Sequence, residues 1–240
     1  MLATRPATAQ FLCRKLAVRF VSDDPPQSLV DRMARAYLGS GGDIKAVLKT
    51  LFRSPEFWST GAYRAKVKTP IEFVASASRA SQADTSNLQP LLNALRDMGM
   101  PLYGSVPPTG YNGESANWIG SGQLVNRMNF ALSLAANKLP GVTVSWTPAL
   151  RESAAADSIL SAPQEEQRLE LMLVADGVSQ STRAALLEQV GTQDALNPAP
   201  ARPASVANQT RIRAQAATAL EKQDELLAGL LLGSPEFQRR

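Results

Sequence analysis

The sequence predicts an all-α fold, an irregular multi-helix bundle of helical hairpins interrupted by one long loop rich in aromatic, Pro and Gly residues. Three observations lead there. Apolar residues recur at spacings of three and four, capping and breaking residues bracket those stretches, and no segment sustains the period-two alternation of a half-buried strand. At 240 residues the chain can bury a substantial core, and its apolar fraction of 44% and charged fraction of 19% are those of a globular protein.

The elements follow in order. From Pro6 to Val21, Ala9, Leu12, Leu16 and Phe20 form an apolar stripe, with Thr4 as the expected N-cap and Pro6 in the first turn. "SDDPP" (22–26) ends this helix. Residues 28–38 predict a second helix that buries Leu29, Met33, Ala36 and Tyr37. "GSGG" (39–42) turns the chain, and Asp43 opens a third helix carrying Val47, Leu48, Leu51 and Phe52. Thr69, Pro70 and Glu72 in "KVKTPIEF" match a capping box and start a helix that runs to about Arg79. "SQADTSN" (81–87) reads as a loop, and residues 88–98 as a helix stopped by Gly99. Residues 100–122 are the long irregular stretch. Residues 122–136 return to helix, with Leu124, Met128, Ala131 and Ala135 on one face, and "LPGVTVSWTP" (139–148) is the one place that invites a short strand.

Residues 1–148 thus carry the main helical body. Residues 149–240 are simpler and richer in Ala, with helices expected over 162–174, 179–190 and about 211–232, and "NPAPARPASVANQT" (197–210) reads as a linker or exposed loop. "SPEF" occurs twice, at 54–57 and 234–237, each time after an apolar run. Ser supplies a cap oxygen, Pro fits a first turn, and Glu complements a helix N-terminus, so each copy reads as a device that stops a helix and restarts the chain. In this reading Glu56 and Glu236 cap their own turns, and Phe57 and Phe237 pin the new turn against the preceding helix.

Composition excludes several chemistries. The chain has no His, which removes a His-containing triad, a His general base and any His metal site; the single Cys13 removes thiolate clusters and intrachain disulfides. No stretch is long and apolar enough for a transmembrane helix, and the basic residues of the first twenty positions do not form an export signal. The glycine groups match neither a phosphate-binding loop nor a dinucleotide fingerprint. No cofactor and no metal is expected.

Charge is unevenly spread. Residues 1–68 hold twelve Lys and Arg against five Asp and Glu, a formal +7, whereas residues 69–240 hold thirteen against sixteen, a formal −3. Arg14, Lys15 and Arg19 form a candidate anion or partner patch beside the apolar face of the first helix, the alternative being a solvated face. The basic residues lack interleaved aromatics in sequence, which weighs against nucleic acid.

The long loop is the candidate binding surface. Pro107, Pro108, Thr109, Gly110 and Tyr111 predict a tight preorganised turn, flanked by Tyr103 and Trp118. Either it recognises a ligand or partner through aromatics on a rigid loop, or it packs its own aromatics as a plug over the helices. Asn126 and Arg127 belong to this group on the helix that follows, where Asn126 shares a face with Phe130 and is expected to be buried and to tether the loop. The paired carboxylates Asp23/Asp24, Glu165/Glu166 and Asp224/Glu225 do not establish an acid–base pair; the first reads as a turn and the second as helix-start charges.

The segments "RPATAQFLCRKLAVRFVSDDPP", "GGDIKAVLKTLFRSPEFW", "AKVKTPIEFV", "MGMPLYGSVPPTGY" and "LVNRMNFAL", in that order, with "LLLGSPEFQRR" at the end, resemble the C-terminal portion of the bacterial family called domain of unknown function 1800. The resemblance implies part of a larger helical domain, a fragment beginning inside it. It departs from the family in having Arg5 where a His usually precedes "PATA". It also implies a protein partner, an often exported, hydrolase-like family commonly encoded alongside, and with it a cell-envelope or periplasmic setting. Two functions are expected from these features. One is a non-catalytic interaction or scaffold module acting with that partner. The other is a fragment of a hydrolase-like enzyme whose catalytic residues lie in an absent N-terminal half.

Overall fold

The structure, a computed structural model, describes residues 2–146, 161–196 and 221–240, which are predominantly helical. The predicted Pro-rich linker at 197–210 lies outside the described residues. The chain forms two compact units: Met1–Thr69 with Val106–Gly120 and Arg239–Arg240, and Pro70–Ser105 with Ser121–Gln238.

The first unit is built on α1 (Pro6–Phe20), α2 (Gln27–Gly39) and α3 (Ile44–Phe52). Thr4 is not the cap of α1. A 3-10 turn over Leu2–Thr4 closes with the Arg5 N–H donating to the Leu2 carbonyl at 3.2 Å, which moves the N-cap to Arg5. Of the expected α1 stripe only Ala9 is fully buried, joined by Cys13 and Ala17, whereas Leu12 and Leu16 are half-buried. Small residues four apart bring α1 close to the Leu29, Val30, Met33 and Tyr37 face of α2, and the larger side chains are displaced to the margins, Phe20 remaining 40% exposed. Burial pushes the Cys13 thiol above its usual range, so it serves as a small apolar packing residue. Asp43 caps α3 as expected, its carboxylate accepting the Lys45 N–H at 2.9 Å.

The second unit contains α4 (Pro70–Ala80), α5 (Gln89–Asp97), α6 (Ser121–Ala135), α7 (Ala162–Leu173), α8 (Gln180–Leu196) and α9, helical over 221–233. Pro70 opens α4, with Glu72 in its first turn. The inviting strand exists as β2 (Val142–Thr143), but it is two residues long and pairs antiparallel with β1 (Asp84–Thr85), inside the segment expected to be a loop. The ribbon clips the α4–α5 connection to the α6 exit. Trp146 seals it, its indole N–H donating to the Ala135 carbonyl at 2.8 Å.

Helix α6 keeps part of its expected face: Ala131 and Ala135 are buried as predicted, whereas Met128 is half-buried. It buries Arg127, Phe130, Ala131, Leu134 and Ala135, while Leu124 is exposed. Helix α9 packs closely against the side of α6 that carries Met128, Ala131, Leu132 and Ala135. A Cβ added at Gly229 would fall 3.1 Å from the Leu132 Cα, and one at Gly233 would fall 2.6 Å from the Met128 sulfur. Two glycines four apart let α9 settle closely onto α6, most tightly at Gly229, where the α6 backbone itself is the neighbour.

The carboxylates of α7 are not merely helix-start charges. Glu165, Glu166 and Glu170 are buried, and Arg183 of α8 binds Glu166 at 3.2 Å and also Glu170. Burial and the adjacent Glu170 push Glu166 up. Burial also acts upward on Glu170, but Arg183 and the Val178 N–H outweigh it and hold that carboxyl below its usual range. The cluster is a polar seam joining α7 to α8.

Both "SPEF" segments form the expected helix stop. Phe57 N–H donates to Ser54 Oγ at 3.3 Å and Phe237 N–H to Ser234 Oγ at 3.2 Å. Each makes a turn and no full helix follows. The glutamates do more than cap: Glu56 binds Arg32 of α2 at 2.5 Å, and Glu236 accepts the Ser179 N–H at 3.1 Å and the Thr182 hydroxyl at 2.9 Å at the start of α8. Phe57 packs edge-on against Phe52 of the preceding helix, as expected, whereas Phe237 packs against Phe73 of α4.

Gly229→Leu forces α9 away from α6 and should cost about 1–3 kcal/mol, the usual cost of overpacking. Gly191→Ala, in α8 with nothing within 4 Å of the added Cβ, should be neutral or slightly stabilising. Urea unfolding of both variants separates the two outcomes.

Candidate functional site

The long loop is organised from its base outward. Lys66, in the segment before α4, has only 4% of its side chain exposed. Its ammonium binds the Asp23 carboxylate and donates to the Gly113 carbonyl at 2.9 Å. The second oxygen of Asp23 accepts the Ser115 N–H at 3.0 Å, and Ser115 Oγ accepts the Val67 N–H at 3.1 Å. Three chain segments distant in sequence are thereby clamped together: the turn after α1, the strand-like run at 66–67, and the loop. Burial acts upward on Asp23, but the bonds from Lys66 and Ser115 prevail and hold its carboxyl below the usual range. The groups of this cluster are committed to one another, so it works as a clamp.

Above the clamp, Trp118 is buried at the end of the 3-10 turn Ser115–Trp118. Its indole N–H donates to the Asn112 carbonyl at 3.0 Å, and the Tyr111 ring packs edge-on against it at 6.1 Å. The loop thus packs its own aromatics on the inside. Its outside is bare. Residues 106–110 are all exposed, Val106 at 95%. The turn forms as expected: the Gly110 N–H donates to the Pro107 carbonyl at 3.1 Å, with Pro108 second in the turn, Thr109 third, and Gly110 at φ +79°. Tyr103 belongs to the second unit, where it is fully exposed with φ +57°, a left-handed conformation uncommon for an aromatic residue.

The remaining predicted residues separate. Asn126 is half-buried instead of buried, and it tethers a helix, not the loop: its amide donates to the Asp97 carbonyl at the end of α5 at 2.6 Å. It also borders a cleft of about 340 Å³ with Asn93, Asn129 and Ser133. The buried polar residue of this pair is Arg127, fully inside the core of the second unit, its guanidinium 5.1 Å from the centre of the Phe73 ring. Burial lowers its pKa to about 10, with Glu72 acting in the opposite direction, so it remains charged at neutral pH. On α1, Arg14 approaches Asp24 at 3.6 Å, Lys15 lies 5.2 Å over the Phe11 ring, and Arg19 lines a cavity.

That cavity is a groove in the first unit of about 600 Å³, lined by Phe20, Trp58 and Tyr63 together with Arg19, Arg64 and Arg239. No acidic side chain among the described residues lines it. Sequence reasoning did not single out Lys66, Trp58, Tyr63 or Arg64. The partners of Lys66 lie 43 and 47 residues away, and no local pattern marks them. Among the described residues, no three His, Cys, Asp or Glu side chains group as a metal site, and no helix is long and apolar enough to cross a membrane.

Asp23→Asn leaves the Lys66 ammonium buried without its counter-charge. The expected loss is roughly 2–4 kcal/mol, below the top of the range for a broken buried pair because Asp23 keeps 35% of its side chain in water. Because the folded carboxyl is held below its unfolded value of about 3.9, its contribution is present above that pH and lost as pH falls through the folded pKa. The acid limb of stability, followed by tryptophan fluorescence, should therefore be shallower in Asp23→Asn than in the parent.

No curated protein and no solved structure matches the chain. The same ordered segments that build the clamp, the loop and the paired corners extend over residues 1–239 as a match to the family described as Protein of unknown function (DUF1800), and the chain belongs to that family.

Proposed function

We propose that this chain is a non-catalytic helical interaction module that acts with a protein partner. One observation carries the reading: a loop whose base is clamped by a buried ion pair holds a bare, Pro-stiffened tip in solvent. A surface segment already fixed in one conformation loses little conformational entropy on docking, which is the property a recognition loop needs. Pro107 and Pro108 restrict the backbone, and Val106 offers an apolar side chain that is 95% exposed. The Lys66 and Asp23 groups hold this loop from inside.

The partner that the family context favours is the exported, hydrolase-like protein commonly encoded beside members of this family. Co-purification of the two tests the reading. Val106→Asp and Pro108→Gly alter only exposed positions and should weaken capture about tenfold or more, the usual effect of losing an interface anchor, with helical content unchanged by circular dichroism. Capture that is unaffected by both substitutions removes the loop from the interface. Hydrolysis by a longer protein that contains this chain, absent from the chain alone and abolished by a substitution in the N-terminal half, favours the enzyme-fragment alternative instead.

A further inference from the structure

The first unit displays an aromatic surface whose outer rings stand in solvent. Phe20, Phe52, Phe57 and Trp58 form a continuous edge-to-face series, with centroid separations of 5.5, 5.1 and 5.2 Å. Its outer member, Trp58, is 75% exposed, yet its indole N–H is tied to the Phe52 carbonyl at 2.7 Å. A tryptophan left in water by the fold normally contributes little to stability, and here it is also held in one orientation. Tyr63, 64% exposed, lines the same groove of about 600 Å³, a volume in the usual range for occupied pockets.

The charge around these rings has one sign. Arg19, Arg64 and Arg239 line the groove, and no acidic side chain among the described residues lines it. The whole first unit carries fourteen Lys and Arg against six Asp and Glu, a formal +8. Such a field steers acidic partners and raises their association rate. Rigid aromatic rings within a cationic rim match an occupant that alternates apolar anchors with carboxylates. Resting on the reading of this chain as an interaction module, we infer that the groove docks an acidic protein segment, inserting an aromatic or branched aliphatic side chain against Trp58 and Tyr63 while its carboxylates meet Arg19, Arg64 and Arg239. A polypeptide fits better than a nucleic-acid strand: the volume is local rather than a track, and Trp58 and Tyr63 are its two strongly exposed rings where a strand needs successive stacking platforms.

The test uses the full chain and a fluorescein-labelled peptide that alternates Glu with Phe and Leu, read by fluorescence anisotropy at low and physiological salt. Its Gln counterpart, poly-glutamate and a single-stranded oligonucleotide serve as competitors. Expected is binding that weakens with salt, is competed poorly by the Gln peptide and by poly-glutamate, and falls about tenfold or more in Trp58→Ala and in Arg19→Glu. Acrylamide quenching gives a second readout, because Trp118 and Trp146 are buried and Trp58 is the exposed tryptophan; the peptide should protect it. Lys15→Glu reverses a charge on the same helix outside the groove and should change affinity less than twofold. Equal weakening by Lys15→Glu and Arg19→Glu, stronger binding of the oligonucleotide than of the peptide, or no protection of Trp58 each overturns the inference. Loss of partner capture in the loop variants with the groove variants unaffected would leave the interaction-module reading standing and sink this one alone.

Discussion

A buried ammonium tolerates very few arrangements. It must meet a counter-charge and fill its remaining donors, or it costs the fold several kilocalories. Lys66 satisfies this through Asp23 and the Gly113 carbonyl, and the condition propagates outward. Asp23 fixes Ser115, Ser115 fixes Val67, and the loop that begins beyond them inherits a defined base. The adjoining run at 66–67 also receives the last residues of the chain, with Arg240 N–H donating to the Lys66 carbonyl at 2.9 Å. The bare tip at 106–110 and the composition of the aromatic groove both depend on where this one side chain is held.

The second unit meets a comparable constraint with a different solution. Arg127 is fully buried against Phe73, the ring that also touches Phe130 and Phe237. A delocalised, weakly hydrated guanidinium is better suited to that aromatic environment than an ammonium would be. Each unit also ends a helix with Ser-Pro-Glu-Phe, and in each the glutamate reaches a distant segment, Arg32 in one case and Ser179 with Thr182 in the other. The repeat is therefore a corner element whose acid ties the turn to the rest of its unit. Its paired occurrence does not assemble an active site, since the two copies belong to different units.

Most of the helices were legible because their signals are local. Asp43, Pro70 and the run ending at Gly99 mark boundaries that shifted by no more than one or two residues. Buried faces were read less well. The small residues of the expected stripes, Ala9 on α1 and Ala131 and Ala135 on α6, are buried as read, but the bulky ones are not: Leu12, Leu16 and Phe20 give way to Cys13 and Ala17 on α1, and Leu124 and Met128 to Arg127, Phe130 and Leu134 on α6. Hydrophobicity ranks residues by transfer energy, whereas interhelical distance is set by volume, so the two orderings diverge where helices pack most closely.

By itself the sequence determined the helical class, the turn at Pro107–Gly110, the helix stop at both "SPEF" segments, the excess positive charge of the N-terminal third, and the absence of histidine chemistry. These depend on dihedral preference, side-chain capping and composition, all carried by neighbours in the chain. Only the tertiary structure decided that Lys66 is a buried clamp, that Arg127 and not Asn126 is the buried polar side chain, and that Trp58 and Tyr63 join Arg19 and Arg64 in one groove. Those outcomes require side chains tens of residues apart to share a dielectric environment, and no local pattern encodes the desolvation that selects their partners.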